Sequence, residues 1–330
     1  NTSRFEELIY KLYNPFRFFY SNVDFGVVTY NVTSRKAIEI TKNEMTESEV
    51  PLYIIASASP YPAFPMKKIA GENYVDGGYS DYIPIDLAIK MGATEIVAVD
   101  LNAVGKKRKV DTSGIDIKII SPKNQIASFL VFDKNLSRKA IKYGYNDTMK
   151  AFGKLEGNLF TFYLNELSNE YRKNSEKIKE ALEKRLLPIE HSLLEQLLRL
   201  SVFHRLLEDK TGEKRKKFFD DIIELIGKSL KVDDTKIYHV KDFLKESLRN
   251  LSNVDVLNIK IIEEKIKIKK VRSLFGTSTI MRYLYDKIKT IPKNKKQRND
   301  YSRCAILFPK EFIAVVYLII LNEEYEIIQL

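Results

Sequence analysis

The stretch Tyr74-Val75-Asp76-Gly77-Gly78-Tyr79-Ser80-Asp81-Tyr82-Ile83-Pro84 constrains the fold more than any other part of the chain. An aromatic and a β-branched residue, Tyr74 and Val75, have the composition of a strand end, and Asp76 stands where that strand must stop. Gly77 and Gly78 carry no side chain, so the backbone can turn sharply there and a second segment can approach closely. Pro84 then opens a helix, with Ile85, Ala88 and Ile89 expected as its apolar face. Strand, turn and helix in succession present an aspartate on a rigid edge, a position from which a carboxylate acts as acid or base. Alone, an Asp-Gly-Gly turn is common, its aspartate merely capping the backbone of Gly78 or Tyr79.

The flanks narrow the choice. Ala56-Ser57-Ala58-Ser59-Pro60 leads in, and Pro60, Pro62 and Pro65 stiffen the connection to Asp76. Thr46 and Glu49 form a reciprocal cap for a helix through Tyr53, Ile54 and Ile55 that is expected to end at Pro60. Downstream, residues 96–101 are almost continuously apolar, the pattern of a strand buried in a parallel sheet, and residues 115–120 read as a further strand. Lys106-Lys107-Arg108-Lys109 between them reads as an exposed basic loop. Upstream, residues 1–20 read as helix with Phe5, Leu8, Ile9 and Leu12 on one face, broken at Asn14-Pro15. The aromatic cluster Phe16, Phe18, Phe19 and Tyr20 is expected in the core, with acyl-chain contact as the alternative. Residues 25–33 and 36–41 read as a hairpin across Ser34-Arg35.

This succession, with Gly71-Glu72-Asn73 before Tyr74 and Gly92-Ala93-Thr94-Glu95 before the apolar run, resembles the patatin-like phospholipases. The resemblance is close over residues 25–102 and continues more weakly to 157 through Tyr143-Gly144-Tyr145-Asn146-Asp147-Thr148. It implies an α/β-hydrolase-like three-layer fold, incomplete in this chain, and makes Asp76 the acid of a Ser–Asp catalytic dyad. Gly77 and Gly78 become the active-site loop, a phospholipid or other acyl ester the substrate, and no metal or organic cofactor is implied. Two departures stand out. Tyr82 occupies a position where the family usually has Asn. The family's Gly-x-Ser-x-Gly nucleophile elbow and glycine-rich oxyanion loop, both upstream of the aspartate, do not occur. Asp111-Thr112-Ser113-Gly114 and Gly276-Thr277-Ser278-Thr279 fail the pattern and lie downstream. Ser57, Ser59 and Ser80 lack a strand–elbow–helix context. Since the chain starts at Asn1, it is expected to lack an N-terminal portion and to be inactive alone. Among the other carboxylates, Asp24, Asp81, Asp86 and Asp100, Asp81 is expected to steady the loop and Asp100 to end a strand.

Length and composition set the remaining bounds. A chain of 330 residues predicts two domains. The first, 1–157, is the α/β portion; the second, 158–330, is a mostly helical domain in which glycine becomes sparse and helical periodicity takes over. Helices are expected over 159–174, 175–185, 191–207, 214–230, 242–251 and 261–290 (broken at Gly276), with polar connections at Thr211-Gly212 and 293–300. The apolar run 312–321 is short of the ~20 residues that span a bilayer and reads as a buried helix or strand. A formal charge of +11 suggests acidic partners, with peripheral contact with an anionic membrane surface as one reading and a solvated face, its cations scattered among acids on helices, as the competing one. Nucleic acid is not expected, because neither zinc spacing nor an RNA-binding signature is present. The single cysteine, Cys304, excludes an internal disulfide and favours a reducing compartment, hence the cytoplasm or the inner membrane surface. His191, His204 and His239 lack metal spacing. None precedes residue 191, so the family-like half can hold a dyad but no Ser-His-Asp triad. The competing reading is a catalytically inactive scaffold or membrane-surface interaction protein; an intact Asp76-Gly77-Gly78 argues against it. Nothing in the sequence sets oligomeric state.

Overall fold

A computed structural model describes residues 3–106, 108–124, 131, 133–187, 191–200, 213–255 and 275–327. Contacts divide the chain into two compact units, Asn1–Pro122 and Lys123–Leu330. The composition shift at 157/158 falls later than this division. The intervening helix is tied into the second unit: Asp147 accepts the Lys123 N–H and Asn146 donates to the Thr235 carbonyl.

The first unit opens with α1 (Ser3–Leu12) and α2 (Pro15–Phe19), separated as Asn14-Pro15 dictates; Asn14 caps α2 by accepting the Arg17 N–H. Phe19 and Phe25 each pack edge to face on Phe18, whereas Phe16 and Tyr20 lie outside, their rings tilted against each other. The aromatic cluster is therefore split between core and surface. The expected apolar face of α1 is split too, Leu8 and Leu12 being exposed.

The central feature is a four-stranded sheet of order β2-β1-β4-β3, antiparallel throughout: β1 (Gly26–Asn31), β2 (Lys36–Thr41), β3 (Lys67–Ile69) and β4 (Glu72–Asp76). The expected hairpin is β1–β2, turning through Arg35 at positive φ. Helix α3 (Val50–Ser57) lies against one sheet face and ends before Pro60. Val50, Tyr53 and Ala56 pack there with Val27, Met45, Ile69 and Tyr74, each large apolar side chain so buried contributing about 1.5–3 kcal/mol. Glu49 accepts from both the N–H and the hydroxyl of Thr46, which is one half of the expected reciprocal cap; the other half is absent, and Glu49 itself stands at the N-cap of α3 without a side-chain cap bond.

Helix α4 (Ile85–Lys90) follows Pro84, and the buried residue on it is Leu87; Ile85, Ala88 and Ile89 are half-buried. The run 96–101 does form a parallel strand, β5 (Glu95–Val99), paired with β6 (Asp116–Ile120). Its full burial does not follow. Val97, Val99 and Leu101 are 55%, 58% and 64% exposed and alternate with half-buried Ile96 and buried Ala98, so one face of this two-stranded sheet is covered and the other is open among the described residues.

In the second unit come α5 (Lys134–Ala151), β7 (Leu155–Glu156), β8 (Thr161–Tyr163), α6 (Glu166–Leu186), α7 (His191–Leu198), α8 (Glu213–Ser229), β9 (Ile237–Tyr238), α9 (Val240–Ser252), α10 (Thr277–Ile288), α11 (Lys295–Leu307) and α12 (Pro309–Tyr325). Three expectations change. Residues 161–163 are a strand, since Thr161 and Phe162 pair with Ile237 and Tyr238 in a small three-stranded sheet and Asn165 in the left-handed region ends it. The helices expected over 159–174 and 175–185 are one helix, α6. The polar stretch 293–300 is mostly helical, nucleated by Asn294 accepting the Gln297 N–H. Expectations on residues 201–212 and 256–274, including His204 and Thr211-Gly212, fall outside the described residues. The run 312–321 is the buried middle of α12, around which the core of this unit assembles. Among the described residues no single helix is long and apolar enough to cross a membrane.

Candidate active site

Asp76 is the last residue of β4, and its position is fixed from three sides. Its N–H donates to the Ser59 carbonyl at 3.0 Å, which ties the strand end to the proline-stiffened lead-in. Its Oδ1 accepts the Gly78 N–H at 2.7 Å. Directly across the ladder on β1 stands Thr29. The capping function that an isolated Asp-Gly-Gly turn predicts is thus present, and it orients the carboxylate at the same time. Asp76 is half-buried. Burial pushes its carboxyl above the ordinary aspartate value, against the Gly78 N–H, which pulls it down. No charged partner among the described residues offsets the burial, so the group is poised as a proton acceptor stronger than a solvated aspartate.

The two glycines answer to different constraints. A Cβ on Gly77 would stand 2.5 Å from the Val28 carbonyl oxygen, so the turn presses directly on β1. A Cβ on Gly78 would stand 3.0 Å from Asp76 Oδ1, crowding the carboxylate. A third glycine went unnoticed in the sequence. Residues 104–106 run over the turn, with Lys106 N–H donating to the Gly78 carbonyl at 2.9 Å and Tyr82 N–H to the Lys106 carbonyl at 3.0 Å. A Cβ on Gly105 would lie 2.9 Å from Gly78 O. Tyr79 stacks on Tyr30, ring centroids 6.3 Å apart, and donates its hydroxyl to the Tyr61 carbonyl.

The three candidate serines are all engaged by main-chain carbonyls. Ser57 Oγ donates to Val28 O at 2.8 Å, Ser59 Oγ to Ile55 O at 2.6 Å and Ser80 Oγ to Gly77 O at 3.1 Å. A nucleophile must lend that proton to a base, so none is arranged for attack. Asp81 is buried and accepts the Ile83 N–H at 3.3 Å, which steadies the loop after the turn; burial holds its carboxyl up. Asp86 is also penalised by burial, but the Arg108 guanidinium at 3.0 Å and further contacts from Leu87 N–H and Lys90 bring it below its ordinary value. Arg108 also pairs with Glu39, so this member of the basic loop is bound to the protein rather than presented to solvent. Asp100 follows β5 and accepts the Asn102 N–H at 2.9 Å. Asp24 is exposed and remote in the chain from the turn. His239 caps α9 and pairs with Glu166; His191 is exposed beside Glu195. Among the described residues no group of three His, Cys, Asp or Glu side chains is placed to hold a metal ion.

The first unit is thus a mixed α/β arrangement that carries an acid on a glycine turn at a strand end. Residues 3–89 match the model of the patatin-like phospholipase family. That segment contains β1 to β4, α3 and the whole Asp76 turn. No curated protein matches the chain.

Proposed function

We propose that the protein is a lipid acyl hydrolase of the phospholipase A type in which Asp76 is the base of a Ser–Asp dyad. The family match points to lipid hydrolysis in general. What supports the dyad is one observation: an aspartate without a charged partner among the described residues, raised by burial, held by the Gly78 N–H at the end of a strand. In the reaction Asp76 takes the serine hydroxyl proton as Oγ attacks the ester carbonyl, and returns it to the departing alcohol. The acyl-enzyme is then hydrolysed by a water that the same carboxylate deprotonates. No Gly-x-Ser-x-Gly occurs in these 330 residues, and the serines nearest Asp76 in the chain are engaged elsewhere. The serine and its oxyanion donors are therefore assigned to polypeptide outside this sequence. Phospholipid or another acyl ester is the substrate, met at an anionic membrane surface by peripheral contact.

The second reading is an inactive patatin-like scaffold, favoured by the engaged serines and by an apolar strand pair left open to a partner. The test joins the chain to the coding sequence upstream of Asn1 and measures hydrolysis of a short-chain p-nitrophenyl ester. Activity in the joined protein, absent from the 330-residue chain and lost by about 10³-fold or more in Asp76→Ala with circular dichroism unchanged, supports the dyad. A joined protein inert on esters and phospholipids supports the scaffold.

A further inference from the structure

Thr29 and Asp76 face each other on β1 and β4, and the backbone identifies the kind of pair they form. Val32 N–H bonds Asn73 O at 2.8 Å; in an antiparallel ladder bonded pairs recur at every second position, so Tyr30–Val75 is bonded and Thr29–Asp76 is not. The Asp76 N–H agrees, being turned away from β1 to Ser59 O. In such a non-bonded pair the Cα atoms approach to about 4.5 Å and the side chains leave the same face at their closest spacing. Thr29 is fully buried, and its Oγ1 has no hydrogen-bond partner among the described residues. A buried hydroxyl in that state has lost water and gained nothing, which native structures rarely leave without a use. Further along the same face Asn31, which stands opposite Tyr74, donates its Nδ2 diagonally to Glu72 Oε2 at 2.5 Å, a β1 amide serving a β4 carboxylate. At Asp76 the Gly78 N–H holds Oδ1, and Oδ2 receives no hydrogen bond among the described residues.

We infer that Thr29 is a positioning residue for Asp76, its hydroxyl donating to Oδ2 of the ionised carboxylate after a change of staggered χ1 rotamer. With Gly78 on one oxygen and Thr29 on the other, the carboxylate plane is fixed, and each oxygen keeps a second lone pair for the incoming proton. The role in catalysis rests on Asp76 being the base of the proposed dyad; the hydrogen bond itself does not. No charged side chain among the described residues acts on Asp76, and the titratable groups on the elements around it are Glu72 and Tyr74 of β4, Tyr30 of β1, Lys67 and Lys68 of β3, Tyr53 of α3, Tyr79 and Lys106.

The test needs no turnover. The 330-residue chain is labelled with carboxyl-¹³C aspartate, the Asp76 signal is assigned by its loss in Asp76→Asn, and it is titrated in wild type, Thr29→Val and Thr29→Ser. Removing the hydroxyl at equal volume is expected to move the Asp76 midpoint up by about 1 pH unit relative to wild type, the size of one hydrogen bond to a charged group. Thr29→Ser, which keeps the hydroxyl, is expected to titrate with wild type. Should the valine variant not fold, Thr29→Ala removes the same donor. A hydroxyl-less variant that titrates with wild type overturns the inference, as does a serine variant that moves as far as the valine one. Because this readout is separate from ester turnover, a failure here is distinguishable from failure of the hydrolase reading.

Discussion

At the scale of single residues, the site places a charge where folding alone would not. Burial raises the Asp76 carboxyl, so the folded chain holds the proton more tightly than the unfolded one. The sign follows: this group's contribution is most favourable below the unfolded aspartate value and is lost as pH rises through the folded one. Asp76→Asn keeps an oxygen for the Gly78 N–H and carries no charge at any pH. It is expected to be more stable than wild type at pH 7, with the gap closing as pH falls through the folded carboxyl's raised value. Urea midpoints measured across that range check it, and a variant less stable than wild type at pH 7 would contradict the raised carboxyl. Asp76, Gly77 and Gly78 were legible in the sequence because strand, turn and helix signals there are contiguous. Thr29 and Gly105 were not. Thr29 lies 47 positions from Asp76 and meets it only through β1–β4 pairing, and Gly105 is distinguished only by how closely residues 104–106 cross Gly78.

At the scale of elements, periodicity found helices well and misjudged what covers them. The hairpin, α3 and α8 stand where local signals put them, since a turn, a cap or a repeating apolar face is written within each. Strand β8 was missed because three residues carry no periodicity and one of its two partners, β9, pairs from 76 positions away. The burial of β5 was misread because a run of valine and isoleucine reports suitability for a covered sheet, not the presence of a cover on both faces. Helix α12 is the opposite case, its apolar run being enclosed. Leu318, with no exposed surface, sits in the middle of it. Leu318→Ala is expected to cost about 2–5 kcal/mol, against less than about 0.5 kcal/mol for the exposed Leu307→Ala on α11. Thermal melts of the two variants decide; similar shifts in both would mean that α12 is not the enclosed core of its unit.

At the scale of the whole molecule, charge is the property that sequence and structure treat alike. The excess of 55 Lys and Arg over 44 Asp and Glu is partly spent in internal pairs such as Arg108 with Asp86 and Glu39, or Lys177 with Glu324. Other cations are left to solvent. Lys293, Lys295 and Lys296, at the start of α11, are exposed, and none forms an ion pair among the described residues; Ile291 beside them is exposed as well. An anionic bilayer attracts such groups by about 1 kcal/mol each, within a Debye length of about 10 Å at 0.1 M salt. The chain is therefore expected to cosediment with phosphatidylserine-containing vesicles at low salt, to release at 1 M salt where the Debye length is about 3 Å, and to leave phosphatidylcholine vesicles in the supernatant. Replacing the three lysines by glutamine should weaken partition by about 3 kcal/mol, roughly two powers of ten. Equal partition to both lipids would assign the binding to exposed apolar side chains instead. No binding to either would make the excess charge a solvated face, leaving the acyl-ester site to meet its substrate without help from the bilayer's field.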